Sequence, residues 1–203
     1  MIKVIIFDLG GVILKHRSDL IGYIISEIFS LPLEEGMKLW KQYRIRLLKG
    51  EFSSKDFLNK LNSTFKTRYS LNELLKMWKD LYVKNSGIDQ DVLDFVDRLK
   101  KKYKVYLLTD TIDIHDEYNK TRGIYDKFTK VFKSYEEKLA KAEGKEFYLD
   151  VLHKINAKPY ECIFIDDLEE QVKTAKSLGA KGIVFKNLSQ LKENLYRLGV
   201  QNY

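Results

Sequence analysis

The stretch Ile2-Lys3-Val4-Ile5-Ile6-Phe7-Asp8-Leu9-Gly10-Gly11-Val12-Ile13-Leu14 decides how the chain is read. A nearly unbroken apolar, β-branched run ends in one carboxylate, and two glycines follow at once. Such a run reads as a strand buried on both faces, as in a parallel sheet. A charged group at its carboxyl end sits where open α/β sheets bind ligands. Glycines at that place let the backbone come close to a bound group. The plainer reading is that Asp8 caps a turn and the glycines shape it.

Working outward, strands and helices alternate through the second half of the chain. Val92, Phe95, Val96 and Leu99 suggest a helix, and Val105-Tyr106-Leu107-Leu108 a strand ending at Thr109-Asp110. Lys130-Val131-Phe132 makes a short third strand, and Tyr148 to Ile155 a helix. Glu161-Cys162-Ile163-Phe164-Ile165 is a fourth strand ending at Asp166-Asp167. The helix Glu169 to Leu178 stops at Gly179, a fitting C-terminal glycine. Gly182-Ile183-Val184-Phe185 and Leu188 to Leu198 complete the series. This alternation implies a parallel sheet with right-handed crossovers.

The rhythm breaks just after the first strand, where the pattern is helical from Leu20 to Lys84. Pro32 fits a helix start, and Leu33, Met37, Leu39, Trp40, Tyr43 and Leu47 recur at helical spacing. Gly50-Glu51-Phe52-Ser53-Ser54 interrupts it, and Ser54 is suited to cap the next helix, which carries Phe57, Leu58 and Leu61. Leu74, Leu75, Trp78 and Leu81 form the stripe of another, and both tryptophans read as core. The predicted organisation is an α/β core domain over 1–14 and 91–203, with an inserted helical domain over 15–90. Its place above the strand ends makes it a lid.

Composition agrees with a core of this size. The 203 residues are 44% hydrophobic and 32% charged, with two prolines, and show neither repeat nor low-complexity tract. No apolar run approaches the ~20 residues that span a bilayer. The N-terminal residues lack the layout of a signal peptide. The one cysteine, Cys162, lies in an apolar run and reads as a buried thiol. Together these point to the cytoplasm. The net charge of +7 comes from scattered lysines that alternate with acids, so it reads as a solvated surface. The densest basic group, Arg98 to Lys104, falls at a helix end. Nucleic acid and membrane are therefore not expected partners.

Three strand ends offer Asp8, Thr109 and the pair Asp166-Asp167, and in a parallel sheet these lie on one edge. Two carboxylates, a backbone carbonyl and waters suit Mg²⁺. A carboxylate beside that ion can attack phosphorus and form a covalent aspartyl intermediate. A hydroxyl such as Thr109 and a nearby lysine would hold the transferring oxygens. The competing reading of Asp166-Asp167, a helix N-cap, accounts for one acid and leaves the other unexplained.

On these residues the chain resembles the haloacid dehalogenase-like (HAD) hydrolase superfamily. Phe7-Asp8-Leu9-Gly10-Gly11-Val12 looks like the family's nucleophile motif and Leu107-Leu108-Thr109-Asp110 like its second motif. Phe164-Ile165-Asp166-Asp167, with Gln171-Val172, Ala175 and Gly179, is similar to the acidic fourth motif and its helix. The helical insert resembles the C1-type cap of the small phosphatase branch, down to the loop Lys49-Gly50-Glu51-Phe52-Ser53 before Phe57. Any one motif is weakly specific; all of them in order, over nearly the whole chain, are strongly so. The resemblance implies a Rossmann-like three-layer sandwich with a helical cap. It implies Asp8 as nucleophile and metal ligand, with the Gly10 carbonyl, Asp166 and Asp167 as further Mg²⁺ ligands. It implies Thr109 and Asp110 at the phosphoryl group.

Two departures from the family pattern stand out. The commonest phosphatase motif carries a second aspartate two positions after the nucleophile, as general acid and base; here Gly10 stands there. Losing such a group costs on the order of 10² to 10⁴ in rate, yet the branch that reads Asp-Leu-Gly includes phosphatases. His16, Glu51 and Asp110 are the candidates to replace it, although a histidine near a strand end is more often structural. His115 and His153 have no special context, and His153 reads as surface. The third motif, a Lys before Pro, falls at Lys141 counting from Ser134, with Ala142 in place of Pro and Phe147 in register. Lys138 and Lys145 are alternatives.

The leading expectation is a Mg²⁺-dependent phosphatase of a small phosphorylated metabolite, monomer or homodimer. A haloacid dehalogenase-type hydrolase, or a HAD fold that has lost its chemistry and serves as a binding or regulatory protein, are the alternatives. Fold alone does not decide among them.

Overall fold

The structure is a computed structural model, and it describes residues 1–201. Its first strand, β1 (Val4–Phe7), leads through a tight loop to β2 (Leu14–His16). Helices α1 (Leu20–Phe29), α2 (Leu33–Leu48), α3 (Ser54–Phe65) and α4 (Leu71–Asn85) follow, then β3 (Ser86–Ile88). The rest alternates: α5 (Gln90–Leu99), β4 (Lys104–Thr109), α6 (Asp113–Thr121), β5 (Lys130–Lys133), α7 (Ser134–Glu137), α8 (Glu146–Lys154), β6 (Cys162–Asp166), α9 (Glu169–Ser177), β7 (Lys181–Val184) and α10 (Leu188–Arg197).

Among the described residues the main sheet has five strands in the order β5-β4-β1-β6-β7. β1 is parallel to both of its neighbours, β4 and β6. The outer pairs β4–β5 and β6–β7 are parallel as well. The pleat sends alternate side chains to opposite faces. Ile5 and Phe7 of β1 face one core with Val105 and Leu107 of β4 and with Phe95, Leu191 and Leu195 of the helices. Val4 and Ile6 face the other with Tyr106, Leu108, Phe147, Tyr148 and Val151. A strand buried on both faces has no room for polar residues, which is why Val4 to Phe7 is wholly apolar. The result is the three-layer α/β sandwich expected from the sequence. Because β4 and β5 lie on one side of β1 and β6 and β7 on the other, the crevice at the carboxyl ends opens at β1.

The expected strands and helices occur within a residue or two of their reading. What the pattern missed is α6, whose sequence is mostly polar, and the antiparallel ribbon of β2 and β3, with Leu14 opposite Ile88 and His16 opposite Ser86. Three residues are too few for an alternation to register. The helices α1 to α4 all lie between the two ribbon strands.

One capping assignment moves by a residue. Ser53, not Ser54, caps α3, its side chain accepting from Asp56 N. Ser54 is buried instead, donating its N–H and hydroxyl to the Asp113 carboxylate at the start of α6. Further along the same contact, Trp78 Nε1 of α4 donates to His115 Nε2 at 2.9 Å, and Asn119 Nδ2 donates to the Tyr82 hydroxyl at 3.0 Å. Trp78 is core as read, but Trp40 is only half-buried.

Candidate active site

The loop after β1 sets the site's floor. Asp8 continues the ladder by donating its N–H to Ile165 O at 2.8 Å. The chain then turns back on itself, with Ile13 N and Leu14 N both donating to Leu9 O. Gly11 takes φ +71°, and a Cβ there would lie 2.1 Å from Asp167 Oδ2. Only glycine gives both the backbone angle and the space for that carboxylate.

At the ends of β1 and β6, carboxylate oxygens of Asp8, Asp166 and Asp167 lie within 4.8 Å of one another. Asp8 and Asp166 are nearly buried and Asp167 is exposed. Neither acid of the pair caps α9, whose N-cap is Leu168; Asp166 Oδ1 accepts from Leu168 N at 3.0 Å and so is fixed in place. Lys141 Nζ donates to Asp8 Oδ1 at 2.8 Å and to Asp166 Oδ2 at 2.6 Å. Lys138 and Lys145 are exposed, so among the three lysines it is Lys141 that enters the site.

Burial would strip Lys141 of its proton, but the Asp8 and Asp166 charges outweigh it and hold the ammonium well above its ordinary value. Burial pushes Asp8 up against the pull of Lys141, and Asp166 and Asp167 add repulsion. Burial and the Asp166 charge likewise raise Asp167. Three crowded carboxylates facing one ammonium leave an excess of negative charge that a second cation offsets. Hard oxygen donors at this separation, with one side open to water, fit Mg²⁺.

Thr109, at the end of β4, is buried; its hydroxyl has only a long contact, 3.5 Å, to Asp110 O. Asp110 lines the same cavity as Thr109, and its carboxylate is engaged with the backbone. Its two carboxylate oxygens accept from Lys141 N at 2.8 Å and from Ala142 N at 3.2 Å. Its side chain therefore holds the loop that presents Lys141, and an acid facing phosphate would repel it. This loop clamp also accounts for Ala142: two backbone N–H bonds fix the turn, and a proline there would remove one of them.

Glu51, another candidate for proton transfer, is turned to Lys49 at 3.2 Å. His16 behaves differently. A Cβ added to Gly10 would lie 2.8 Å from His16 Nε2 and 3.9 Å from Asp8 Oδ2. His153 is exposed as read. His115 was missed: it is buried, stacked on Tyr82 with ring centroids 3.9 Å apart. A cavity of about 170 Å³ opens beside the cluster. Its wall includes Thr109, His16, His115, Leu20, Ile21 and Trp40.

A parallel sheet whose carboxyl edge gathers an aspartate from one strand, a hydroxyl from the next and an acidic pair from a third, bridged by a buried lysine, defines a class of aspartate-nucleophile hydrolases. The model of the haloacid dehalogenase-like hydrolases matches residues 2–179, and the chain belongs to that family. It is similar to the D-ribitol-5-phosphate phosphatase of Bacteroides thetaiotaomicron, 25% identical over 190 residues that cover 88% of this chain and 89% of that one. It is also similar to flavin mononucleotide hydrolase 1 of Arabidopsis thaliana, 42% identical over 55 residues. That match spans 27% of this chain and only 22% of the plant protein. Among solved structures, a HAD family enzyme of Bacteroides thetaiotaomicron in complex with magnesium and inorganic phosphate superposes with a TM-score of 0.79. It is 26% identical, with 94% of this chain and 99% of that chain covered. No helix among the described residues is long and apolar enough to cross a membrane.

Proposed function

We propose that this chain is a Mg²⁺-dependent phosphatase that hydrolyses a small phosphate monoester through an aspartyl-phosphate on Asp8. The observation that carries the reading is the bridge of Lys141 between Asp8 and Asp166, beside a third carboxylate and the weakly held hydroxyl of Thr109. Asp8, the Gly10 carbonyl and Asp166 would hold the metal, and Asp167 would do so through water. When bound, the ion offsets the charge gathered on the nucleophile and the phosphoryl oxygens. Thr109 holds one of those oxygens. Lys141 pulls Asp8 toward its ionised form against the push of burial, holds it in place, and neutralises charge that grows on phosphorus in the transition state.

The helices of residues 15–90 serve as a cap domain over this edge, excluding bulk water and shaping the leaving-group site. The cavity of about 170 Å³ is close to one of about 150 Å³ known to take a benzene-sized guest, which suits a leaving group of roughly six to ten heavy atoms. No lysine or arginine among the described residues lines it, so it suits an uncharged alcohol better than one with a second phosphate. The three-ring system of a flavin exceeds it. The lone, buried Cys162 is in keeping with the cytoplasm.

The test is phosphate release from a panel of monoesters. Polyol and sugar monophosphates should be turned over with Mg²⁺, flavin mononucleotide much more slowly, and none of them after chelation or in Asp8→Asn. A folded wild-type protein inert across the panel, or full activity in Asp8→Asn, overturns the reading. Chelator-insensitive halide release would place the chain with the dehalogenases instead.

A further inference from the structure

We propose that His16 is the catalytic residue that meets the leaving-group oxygen, handing it a proton and later taking one from water. The inference rests on the phosphatase reading above. An alkoxide is a poor leaving group, so attack by Asp8 needs a proton donor on the far side of phosphorus. Gly10 leaves open a space beside the nucleophile, and His16 fills it: its Nε2 lies 2.8 Å from where a Cβ of residue 10 would stand. That same point is 3.9 Å from Asp8 Oδ2, so the ring lies alongside the nucleophile.

His16 is exposed, and one hydrogen bond orients its ring. His16 ends β2 and is paired with Ser86 of β3, and its Nδ1 lies 2.9 Å from Arg17 O. A carbonyl at that distance takes the Nδ1 proton, which fixes the tautomer and turns Nε2 to the cavity it shares with Thr109. The other two candidates are occupied: Glu51 by Lys49, and Asp110 by the backbone of the Lys141 loop.

The step balances. With the ring entering as imidazolium, an Asp8 oxygen bonds to phosphorus as the ester P–O bond breaks, and the departing oxygen takes that electron pair and the proton on His16 Nε2, leaving the neutral Nδ1–H ring. Water then bonds to phosphorus as the Asp8–phosphorus link breaks, and its proton returns to Nε2. Water is the only co-reactant.

The experiment compares kcat/KM for an alkyl phosphate and for p-nitrophenyl phosphate, whose leaving group needs little protonation. Wild type, His16→Ala, Gly10→Asp and the double variant are measured, each checked for folding by circular dichroism and for Mg²⁺ binding by calorimetry. His16→Ala should lose about 10² to 10⁴ on the alkyl ester and roughly tenfold or less on the aryl ester, so that the ratio of the two shifts. Gly10→Asp alone collides with the ring and should not gain. In the His16→Ala background, its carboxylate enters the vacated space and should recover alkyl-ester turnover at least about tenfold. Equal losses on both esters, or a double variant no better than His16→Ala, would overturn the assignment while leaving the phosphatase reading intact. A wild type inactive on both esters would end both.

Discussion

Mild acid should destabilise this chain more than its carboxylates alone require, because of His115. The ring is 6% exposed and lies flat against Tyr82. Its Nε2 accepts from Trp78 Nε1, which only the neutral imidazole can do. Burial first, and the His16 ring second, drop its pKa from 6.5 to about 3. The unfolded chain binds a proton near pH 6.5 that the folded chain refuses until about pH 3. Stability is therefore complete above the higher value and falls as pH drops through that window. The slope is about 1.4 kcal/mol per pH unit, so moving to pH 5.0 removes about 2 kcal/mol. The assay is urea denaturation at pH 7.5 and 5.0 of wild type and His115→Gln, whose amide oxygen still offers Trp78 an acceptor. The variant should be less stable at pH 7.5 through lost packing, by about 1 to 3 kcal/mol. Its loss between the two pH values should nonetheless be about 2 kcal/mol smaller than that of wild type. Equal losses would mean that the ring is protonated or solvated in the folded state, and the argument fails.

Three further outcomes are expected. Gly11→Ala places a methyl group 2.1 Å from Asp167 Oδ2 at φ +71°; Mg²⁺ affinity measured by calorimetry should fall by about 1 to 3 kcal/mol, roughly fivefold or more. Asp113→Ala strands the Ser54 N–H and hydroxyl where the start of α3 meets the start of α6, and urea denaturation should register a loss of about 1 to 3 kcal/mol. Lys141→Met removes the ammonium between Asp8 and Asp166. Phosphate release at saturating Mg²⁺ should drop about 10² to 10³ or more, while Mg²⁺ binding tightens because a competing cation is gone.

What the sequence made legible was the part of the molecule built from continuous apolar runs. Val4 to Phe7, Val105 to Leu108 and Cys162 to Ile165 are buried on both faces, so their pattern carries no ambiguity, and the acids that end them stand out against it. Lys141 was found by counting along a motif, and the lysine so found is the one whose ammonium reaches Asp8. The features that stayed hidden depend on partners far away in the chain. His115 sits on a polar helix and is buried only because Trp78 and Tyr82 cover it. Ser53 and Ser54 look alike as caps until Asp113 claims the second. Trp40 has the spacing of a core residue, yet it is only half-buried and lines the cavity. Asp110 reads as a phosphate neighbour by position, and only its bonds to Lys141 N and Ala142 N reveal a clamp on the lysine's loop.

The two-stranded ribbon of Leu14–His16 and Ser86–Ile88 brings the departing and returning chain side by side. Everything between them is, to the sheet, a single long excursion that leaves and returns at one place. A graft that exchanged those residues for another set of helices enters and leaves at one point, but it must again cover His115 and answer Asp113, as Trp78, Tyr82 and Ser54 now do. With His16 on the ribbon itself, such an exchange separates two inheritances: Asp8 stays with the scaffold, and His16 stays at the join, where the proposed proton donor would survive a change of helices.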